Sequence, residues 1–520
     1  MKFQSLWQMP LLLGVAATSF TYASTAPAAA IAAPTVATAA PTGPVDTATL
    51  MKQIDDLKKQ VALVAHKQRK AEEKMEAVTK VEDAKIGVLQ ANQISAYPEG
   101  YIAISSNTAI SFDGSRIKGD MAYYPGNNGE VAGDILTIKA LPIKGIDSRA
   151  GKSGHFNGTA QGSRLQFNTL THTNSGDVKS QIQTDFYGAN GSAAASSSTS
   201  TSYGIRIRQA HVSFSNLLAG QTDSNFHDAD LMGTALDNSG GLAPVARRPQ
   251  IRWTQKSSDG LNLSVSAEKG NTDYVTGAGG FKDNSTFGKS PLPDFTARLR
   301  YEGQMGFVSL RGIMRTLQVN VAKGETDNGV TSTTTGAIAS YSSKQTGWGL
   351  GVSGKLITTG KSNLHGQVNF GDGLGYLVDD ASNQAGYLQV KYSDDDTGNF
   401  KNRFATRFDT QTVTNAALGY EHWWTEAFRT NLAYSYTKIK NSKFAPVLNG
   451  TTQINARVKK VLVNAIYSVN KNIDFGVEML HGIRETIGGY DNAMTGTTYY
   501  TYAGGTGKAT QIMTSFIYKF

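Results

Sequence analysis

The last ten residues, Gln511-Ile-Met-Thr-Ser-Phe-Ile-Tyr-Lys-Phe520, decide the fold of this chain. Successive side chains of a β-strand point to opposite faces, so Ile512, Phe516, Tyr518 and Phe520 share one face. A terminal aromatic residue with further aromatics two and four positions earlier is typical of strands that close outer-membrane barrels. We therefore expect an all-β transmembrane barrel, with Phe516, Tyr518 and Phe520 as the signal that the barrel-assembly machinery recognises. The alternative is an ordinary edge strand.

Two segments near the amino terminus are not expected to fold with the barrel. Residues 1–23 have a basic start, a short apolar core and a small residue at Ala23, which is the pattern of a secretory signal peptide. The apolar run is too short for a membrane-spanning helix. Residues 24–46 are rich in Ala, Pro and Thr, a composition that predicts an extended linker.

Residues 47–91 have the pattern of a long helix. An apolar seam with 4-3-4-3 spacing predicts a coiled coil and consists of Leu50, Ile54, Leu57, Val61 and Val64. A three-stranded coil in the periplasm is one interpretation. The other is a single helix lying on the periplasmic face of the barrel.

Composition excludes several classes of protein. The chain has no cysteine, which removes disulfides, thiolate metal ligands and a cysteine nucleophile. Its net charge of +9 would suit nucleic acid, but the basic residues are scattered singly and the chain is predicted to be exported. Nucleic acid is therefore not an expected partner. Fifty-five glycines and twenty-two tyrosines suit a protein of many strands and turns.

Period-2 segments recur through residues 100–520, which we assign to the barrel. Short turns alternate with long polar loops, as they do on the two rims of outer-membrane barrels. The pattern predicts about sixteen antiparallel strands, and eighteen is the alternative. A closed sheet of this size encloses an aqueous lumen unless something fills it, and no compact domain of 100 residues or more interrupts the strands.

Arginines alternate with apolar residues on many of these strands. A lipid-facing arginine near the middle of the bilayer costs about 2–4 kcal/mol, so the alternation predicts that these side chains point into the lumen. Arginine binds carboxylates through two parallel hydrogen bonds, which favours small anionic solutes as partners. Alternatively, each arginine pairs with a neighbouring acid and stiffens the wall. The candidate pathway residues are Arg116, Arg164, Arg206, Arg208, Arg252, Arg298, Arg300, Arg311, Arg403 and Arg407.

An acidic cluster after one strand predicts a loop that folds inward. Asp223, Asp228 and Asp230 open a long polar stretch and would then face the arginines and narrow the lumen. The alternative is an external loop with solvated charges. His227 among these aspartates could indicate a metal site, but the ligand spacing is not that of a metal motif.

Patterns for catalysis and cofactors are weak. The histidines are scattered, and none adjoins a nucleophile motif. The segment Gly504-Gly-Thr-Gly-Lys-Ala509 lacks both the first glycine and the hydroxyl residue of a phosphate-binding loop. We expect no enzyme activity, no cofactor and no metal.

Several segments resemble the DcaP-like trimeric porins. They are the stretch from Gly100 to Tyr124, Ser163-Arg-Leu-Gln-Phe167, Gln183-Thr-Asp-Phe-Tyr187, Arg206-Ile-Arg-Gln-Ala-His211, Leu218-Ala-Gly-Gln-Thr-Asp-Ser224 and Arg248-Pro-Gln-Ile-Arg252. The resemblance implies a homotrimer, a periplasmic coiled coil, sixteen strands and a positive pore for small dicarboxylates. It supports Arg206, Arg208 and Arg252 as pore residues.

The sequence therefore predicts an outer-membrane porin that passes small anions, with outer-membrane lipid around it and the coil in the periplasm. A second hypothesis is an envelope tether or surface adhesin, in which the coil would contact peptidoglycan and the loops a host. A barrel hydrolase is a third.

Overall fold

The chain is described here by a computed structural model. It describes residues 48, 51–52, 54–70, 72, 97–125, 131–132, 135–136, 138–143, 154–188, 204–231, 235–236, 246–276, 288–321, 340–394, 400–441, 454–487, 489–491, 500–502 and 504–520. The predicted signal peptide and linker lie outside these residues. Chain contacts divide the molecule into two units, residues 1–85 and 86–520.

In the first unit the described residues are 48, 51–52, 54–70 and 72, and they are helical. Its apolar stripe, Ile54, Leu57, Val61 and Val64, is exposed, while Leu50 lies outside the described residues. Three members of the stripe, Ile54, Leu57 and Val61, line a shallow groove together with Lys58, Ala62 and Ala65. The helix itself agrees with the prediction, whereas the coiled coil stays a prediction. None of the described helices is long and apolar enough to cross a membrane.

The second unit is a closed antiparallel barrel, and the described residues supply sixteen wall strands, as predicted. The first two strands are each interrupted once. In chain order the strands are β1 (Thr108–Ser111 and Arg116–Tyr124), β2 (His155–Thr159 and Arg164–Thr173), β3 (Gly176–Gly188), β4 (Gly204–Phe214), β5 (Leu217–Asp223), β6 (Arg247–Lys256), β7 (Leu261–Glu268), β8 (Asp294–Gly303), β9 (Gly306–Val321), β10 (Tyr341–Ile357), β11 (Asn363–Asp372), β12 (Thr412–Trp423), β13 (Phe428–Lys440), β14 (Asn455–Asn470), β15 (Ile473–Thr486) and β16 (Thr506–Lys519).

The carboxy-terminal strand closes the barrel. β16 pairs with β1, and Phe516 lies opposite Gly119 in that register. Its outward side chains alternate with buried ones, such as Met513 and Ile517. Closure leaves no unpaired edge along the wall, which a sheet in hydrocarbon requires.

Tight turns and long connections occupy opposite rims. The turn between β8 and β9 needs a glycine, because Gly306 has φ of 121° and a Cβ there would meet the carbonyl of Lys355. The chain enters β1 at this short-turn rim. The long connections leave from the other rim, and parts of three of them fold back into the barrel.

A separate three-stranded sheet corrects part of the sequence interpretation. The strands Tyr274–Thr276, Gly386–Asp394 and Phe400–Thr410 pair with one another, whereas β11 pairs directly with β12. Arg403 and Arg407 stand on Phe400–Thr410 and not on the wall, so their assignment to the lumen wall was wrong. Alternation alone does not distinguish a wall strand from a strand in a loop. The Arg407 guanidinium pairs with Asp409 at 2.7 Å.

Candidate functional site

A row of charged residues crosses the inward face of the first four strands. Arg116 lies opposite Arg164, Arg164 opposite Asp185, and Asp185 opposite Arg206 in the strand registers. Asp185 accepts hydrogen bonds from Arg206 at 2.9 and 2.7 Å and from Arg208 at 2.6 Å. The carboxylate thus fixes two guanidinium groups side by side.

Positive charge exceeds negative charge in this row. The Arg164 guanidinium makes no hydrogen bond or ion pair with a described residue, and the Arg116 guanidinium donates only to the Gly162 carbonyl, at 3.1 Å. Arg247, which the sequence interpretation did not single out, adds a further guanidinium 3.3 Å from Asp223. The wall from β1 to β6 is therefore a cationic surface.

The connection between β5 and β6 enters the lumen, and its described residues 224–231 and 235–236 are called the first inward segment. The main chain of Leu236 reaches β1 and β15, where its N–H donates to Glu478 at 2.6 Å and its carbonyl accepts from Lys118 at 2.6 Å. At the other end, Arg311 on β9 donates to the Phe226 carbonyl at 2.7 Å. Because β9 is eight strands from β1 in a ring of sixteen, this segment spans the lumen.

Asp223, Asp228 and Asp230, the acidic residues predicted to line the lumen, have different partners. Arg300 on β8 binds Asp228 at 2.7 Å and Asp230 at 2.6 Å, and Ser353 on β10 donates to Asp228 at 3.0 Å. Asp223, at the end of β5, pairs with Arg247. Asp228 and Asp230 therefore hold the segment against one wall.

A cavity of about 320 Å³ remains beside the segment. Arg252 and Arg298 line it, and neither has a carboxylate partner among the described residues. Arg252 donates to the Asp223 carbonyl at 2.5 Å, and Arg298 reaches the His227 carbonyl only at 3.4 Å. Both guanidinium groups keep donors available to a bound anion.

A second inward segment, residues 373–385, was missed by the sequence interpretation. Its Tyr376 ring lies between two guanidinium groups, 3.7 Å from that of Arg248 and 4.5 Å from that of Arg315, and its hydroxyl donates to Asp294 at 2.7 Å. Arg315 also donates to the Leu374 carbonyl at 2.8 Å. The sequence does contain a pattern that indicates this segment, because Leu374, Leu377 and Val378 are apolar residues within a loop-like sequence.

A third inward segment, residues 138–143, covers another part of the wall. Arg484 on β15 donates to the Leu141 carbonyl at 2.7 Å, and Lys139 binds Asp379 of the second inward segment at 2.6 Å. Glycine makes room for it, since a Cβ on Gly482 would lie 2.1 Å from a carbon of Ile138.

His227 joins the first two inward segments. Its Nε2–H donates to the Leu377 carbonyl at 2.7 Å, and its Nδ1 accepts from the Ala246 N–H at 3.3 Å. Both ring nitrogens are thus used by main-chain groups, which is a structural role. Burial lowers the pKa of His227 to about 4, so the ring is neutral at pH 7. Among the described residues, no group of His, Asp and Glu side chains is placed to hold a metal ion.

These features define the class of the protein. A closed sixteen-stranded barrel with an apolar outer face, short turns on one rim and long connections on the other is a porin-type outer-membrane barrel. The model of the DcaP outer membrane protein family matches residues 37–498, and the chain belongs to this family. The short-turn rim of such barrels faces the periplasm, so the amino-terminal helix is periplasmic.

A solved structure shows the same fold, and two further structures are similar at lower TM-scores. The outer membrane channel DcaP of Acinetobacter baumannii is 20% identical and has a TM-score of 0.59, covering 81% of this chain and 99% of its own. OmpT of Vibrio cholerae is 9% identical with a TM-score of 0.44, covering 81% and 100%. An anion-selective porin from Comamonas acidovorans is 12% identical with a TM-score of 0.42, covering 79% and 100%. No curated protein sequence matches the chain.

Proposed function

We propose that this porin forms an anion-preferring channel for small carboxylates. The observation that carries the proposal is the surplus of guanidinium groups on the inward face of β1–β8. Among the described residues, no carboxylate pairs with Arg116, Arg164, Arg252 or Arg298. A low-dielectric wall focuses the field of such charges on the lumen.

The mechanism is diffusion and needs no covalent step. A carboxylate entering the cavity exchanges part of its hydration for hydrogen bonds from Arg252 and Arg298. Binding must stay weak enough for the solute to leave, and several spaced cations achieve this better than one tight site. A dicarboxylate can contact two guanidinium groups at once, which favours it over a monocarboxylate of similar size.

Solute uptake by liposomes tests this proposal. Liposomes containing the protein should swell faster in a four-carbon dicarboxylate than in a diamine of equal length, because the lumen attracts one and repels the other. Replacing Arg164 and Arg252 together by glutamine should reduce the difference between the two swelling rates severalfold. The matched control is Arg457→Gln, which removes an exposed outward arginine and should change nothing. Equal uptake of both solutes by the unaltered protein would refute the proposal.

We further propose that the barrel self-associates as a homotrimer. Hydroxyl groups pair on its outer face, Thr169 with Ser180 at 2.7 Å and Thr108 with Thr171 at 3.1 Å. By contrast, the outer face of β8 carries apolar side chains such as Phe295 and Leu299. Polar side chains are a common feature of packed interfaces within membranes, which favours β1–β3 as the subunit contact.

Bulky substitutions on the two outer faces separate these roles. Ser180→Trp should obstruct close packing of subunits and reduce the trimer to monomers, as measured by sedimentation in detergent. Ala297→Trp adds the same side chain on the outer face of β8 and should leave the trimer intact. If both variants remain trimeric, the contact lies elsewhere.

A further inference from the structure

The two halves of the lumen differ in how far water can reach the wall. On β2–β8, several inward side chains away from the rims keep part of their surface exposed: Arg164, Gln181, Gln183, Arg252, Thr254 and Arg298. On β11–β16, inward polar side chains are almost fully buried: Gln367, Asn415, Ser435, Asn464 and Gln511. Both halves carry polar residues, so composition alone does not reveal the difference.

Packing of the second inward segment accounts for burial on one part of the wall. Leu374 and Val378 share a buried apolar cluster with Ile313, Val413 and Ile439, which point inward from β9, β12 and β13. Such a cluster packs at the density of a protein core and leaves no passage for a hydrated solute.

The third inward segment covers the adjoining strands in the same way. Ile138 and Leu141 pack with Leu462 on β14 and Leu480 on β15. Leu236 of the first inward segment belongs to the same cluster. The covered surface therefore continues around the barrel toward β16.

Polar side chains on this side are joined by hydrogen bonds. Asn369 donates to Asn415 at 3.1 Å, and Asn415 donates to Thr437 at 2.9 Å, linking β11, β12 and β13. Asn431 donates to Asn464 at 2.7 Å in a second network. Because buried polar groups bonded to one another rigidify a structure, these networks belong to the packed half.

We infer that solutes cross through one half of the lumen only, along β2–β8, and that Arg164, Arg252 and Arg298 determine its specificity. This inference rests on the proposed function. These three guanidinium groups face the open half, and in the part of the chain that the structure describes no carboxylate pairs with them. Arg311, in contrast, is 1% exposed and bonded to the first inward segment. Arg300 is bound to three acids and serves to position that segment.

Single cysteines locate the path directly, because the chain has none of its own. Thr254→Cys places a thiol in the open half, and Ser435→Cys places one in the packed half. The folded proteins are treated with a negatively charged methanethiosulfonate, labelling is followed by mass spectrometry, and conductance is recorded in planar bilayers. Thr254→Cys should label readily and lose conductance. Ser435→Cys should label at least about tenfold more slowly, since its exposure requires local opening.

Equal labelling of the two thiols, or faster labelling of Ser435→Cys, would overturn the inference. Should Ser435→Cys fail to fold, as judged by heat-modifiable mobility on a gel, Gln511→Cys takes its place in the packed half. The two proposals can fail separately. A channel that prefers cations would refute the proposed function, while the labelling contrast would still locate the path.

Discussion

At the scale of single residues, neighbouring arginines on one strand have different roles. Arg298 and Arg300 both point inward from β8. Arg300 binds Asp228 at 2.7 Å and stacks on Phe307 with 3.7 Å between the guanidinium carbon and the ring centre. Arg298 has one long hydrogen bond, to a main-chain carbonyl. Sequence alternation gives the direction of both side chains but not their partners.

Substitutions at these two positions should have opposite signatures. Arg300→Gln leaves the buried Asp228 without its cation, and breaking such a pair costs about 3 kcal/mol or more. We expect lower thermal stability and noisier, larger conductance as the first inward segment loosens. Arg298→Gln should leave stability nearly unchanged and reduce anion preference. Thermal unfolding and reversal potential measure the two effects, and identical changes in both variants would contradict this division of roles.

At the scale of elements, glycines on β10 determine where the second inward segment can dock. A Cβ on Gly349 would lie 2.5 Å from a methyl carbon of Leu374 and 3.2 Å from the Phe226 ring. A Cβ on the outward Gly312 would meet nothing nearer than 3.8 Å.

Valine at these two glycines should therefore behave differently. Gly349→Val overpacks the contact and should destabilise the barrel by about 1–3 kcal/mol, while exposing the second inward segment to protease. The side chain added by Gly312→Val points outward, so this variant should have nearly unchanged stability and protease resistance. Limited proteolysis compares the two, and equal protection of residues 373–385 in both would show that the segment does not dock on Gly349.

The His227 contact predicts a pH dependence. Burial lowers its pKa to about 4 from an ordinary 6.5. As pH falls from about 6.5 to 4, His227 becomes protonated in the undocked segment but stays neutral in the docked segment, so docking weakens. The loss of docking free energy is complete below about pH 4 and amounts to about 3 kcal/mol. The positive charges of Arg311, Arg248 and Arg247 also lower the pKa of His227.

Conductance noise across this pH range tests the contact. The unaltered protein should become noisier on acidification, whereas His227→Gln, which cannot titrate, should lack that component. Asp273 has the opposite effect on the pH dependence of stability. Burial raises its pKa to about 6, so the folded protein binds this proton more readily than the unfolded chain and gains stability as pH falls. The difference between the two proteins therefore isolates His227. Indistinguishable pH profiles would exclude it as the titrating group.

The exposed stripe of the amino-terminal helix predicts a contact between copies of the chain. Replacing Leu57 and Val61 by aspartate would put charge into the seam of a coiled coil. We expect weaker cross-linking between subunits in the full chain and an unchanged barrel, whereas Lys58→Asp changes a flanking charge and should have a smaller effect. Unchanged cross-linking in the double variant would favour a helix that acts singly.

At the scale of the whole molecule, the sequence predicted the wall better than the contents of the lumen. The alternation of Phe516 and Tyr518 with Met513 and Ile517 follows directly from strand geometry, and the sixteen-stranded barrel was confirmed. Wall strands are predictable because bilayer and lumen impose opposite chemistry on alternate residues. The failed assignment of Arg403 and Arg407 shows the limit of that rule.

The inward segments could not be predicted in the same way. Residues 138–143 and 373–385 have no strand period, and their docking depends on contacts far apart in sequence, such as Arg484 with the Leu141 carbonyl. Of the three inward segments, only the acidic connection after β5 has a sequence pattern strong enough to predict that it enters the lumen. Inward-facing glycines such as Gly482 mark the surface on which a segment docks, but their position opposite the segment becomes apparent only from the aligned strands.

The anion preference of the barrel can be measured as its reversal potential under a salt gradient in a planar bilayer. We expect a reversal potential on the anion side, and a smaller one in the protein with Arg164 and Arg252 replaced by glutamine. A reversal potential at zero or on the cation side for the correctly folded protein would contradict it.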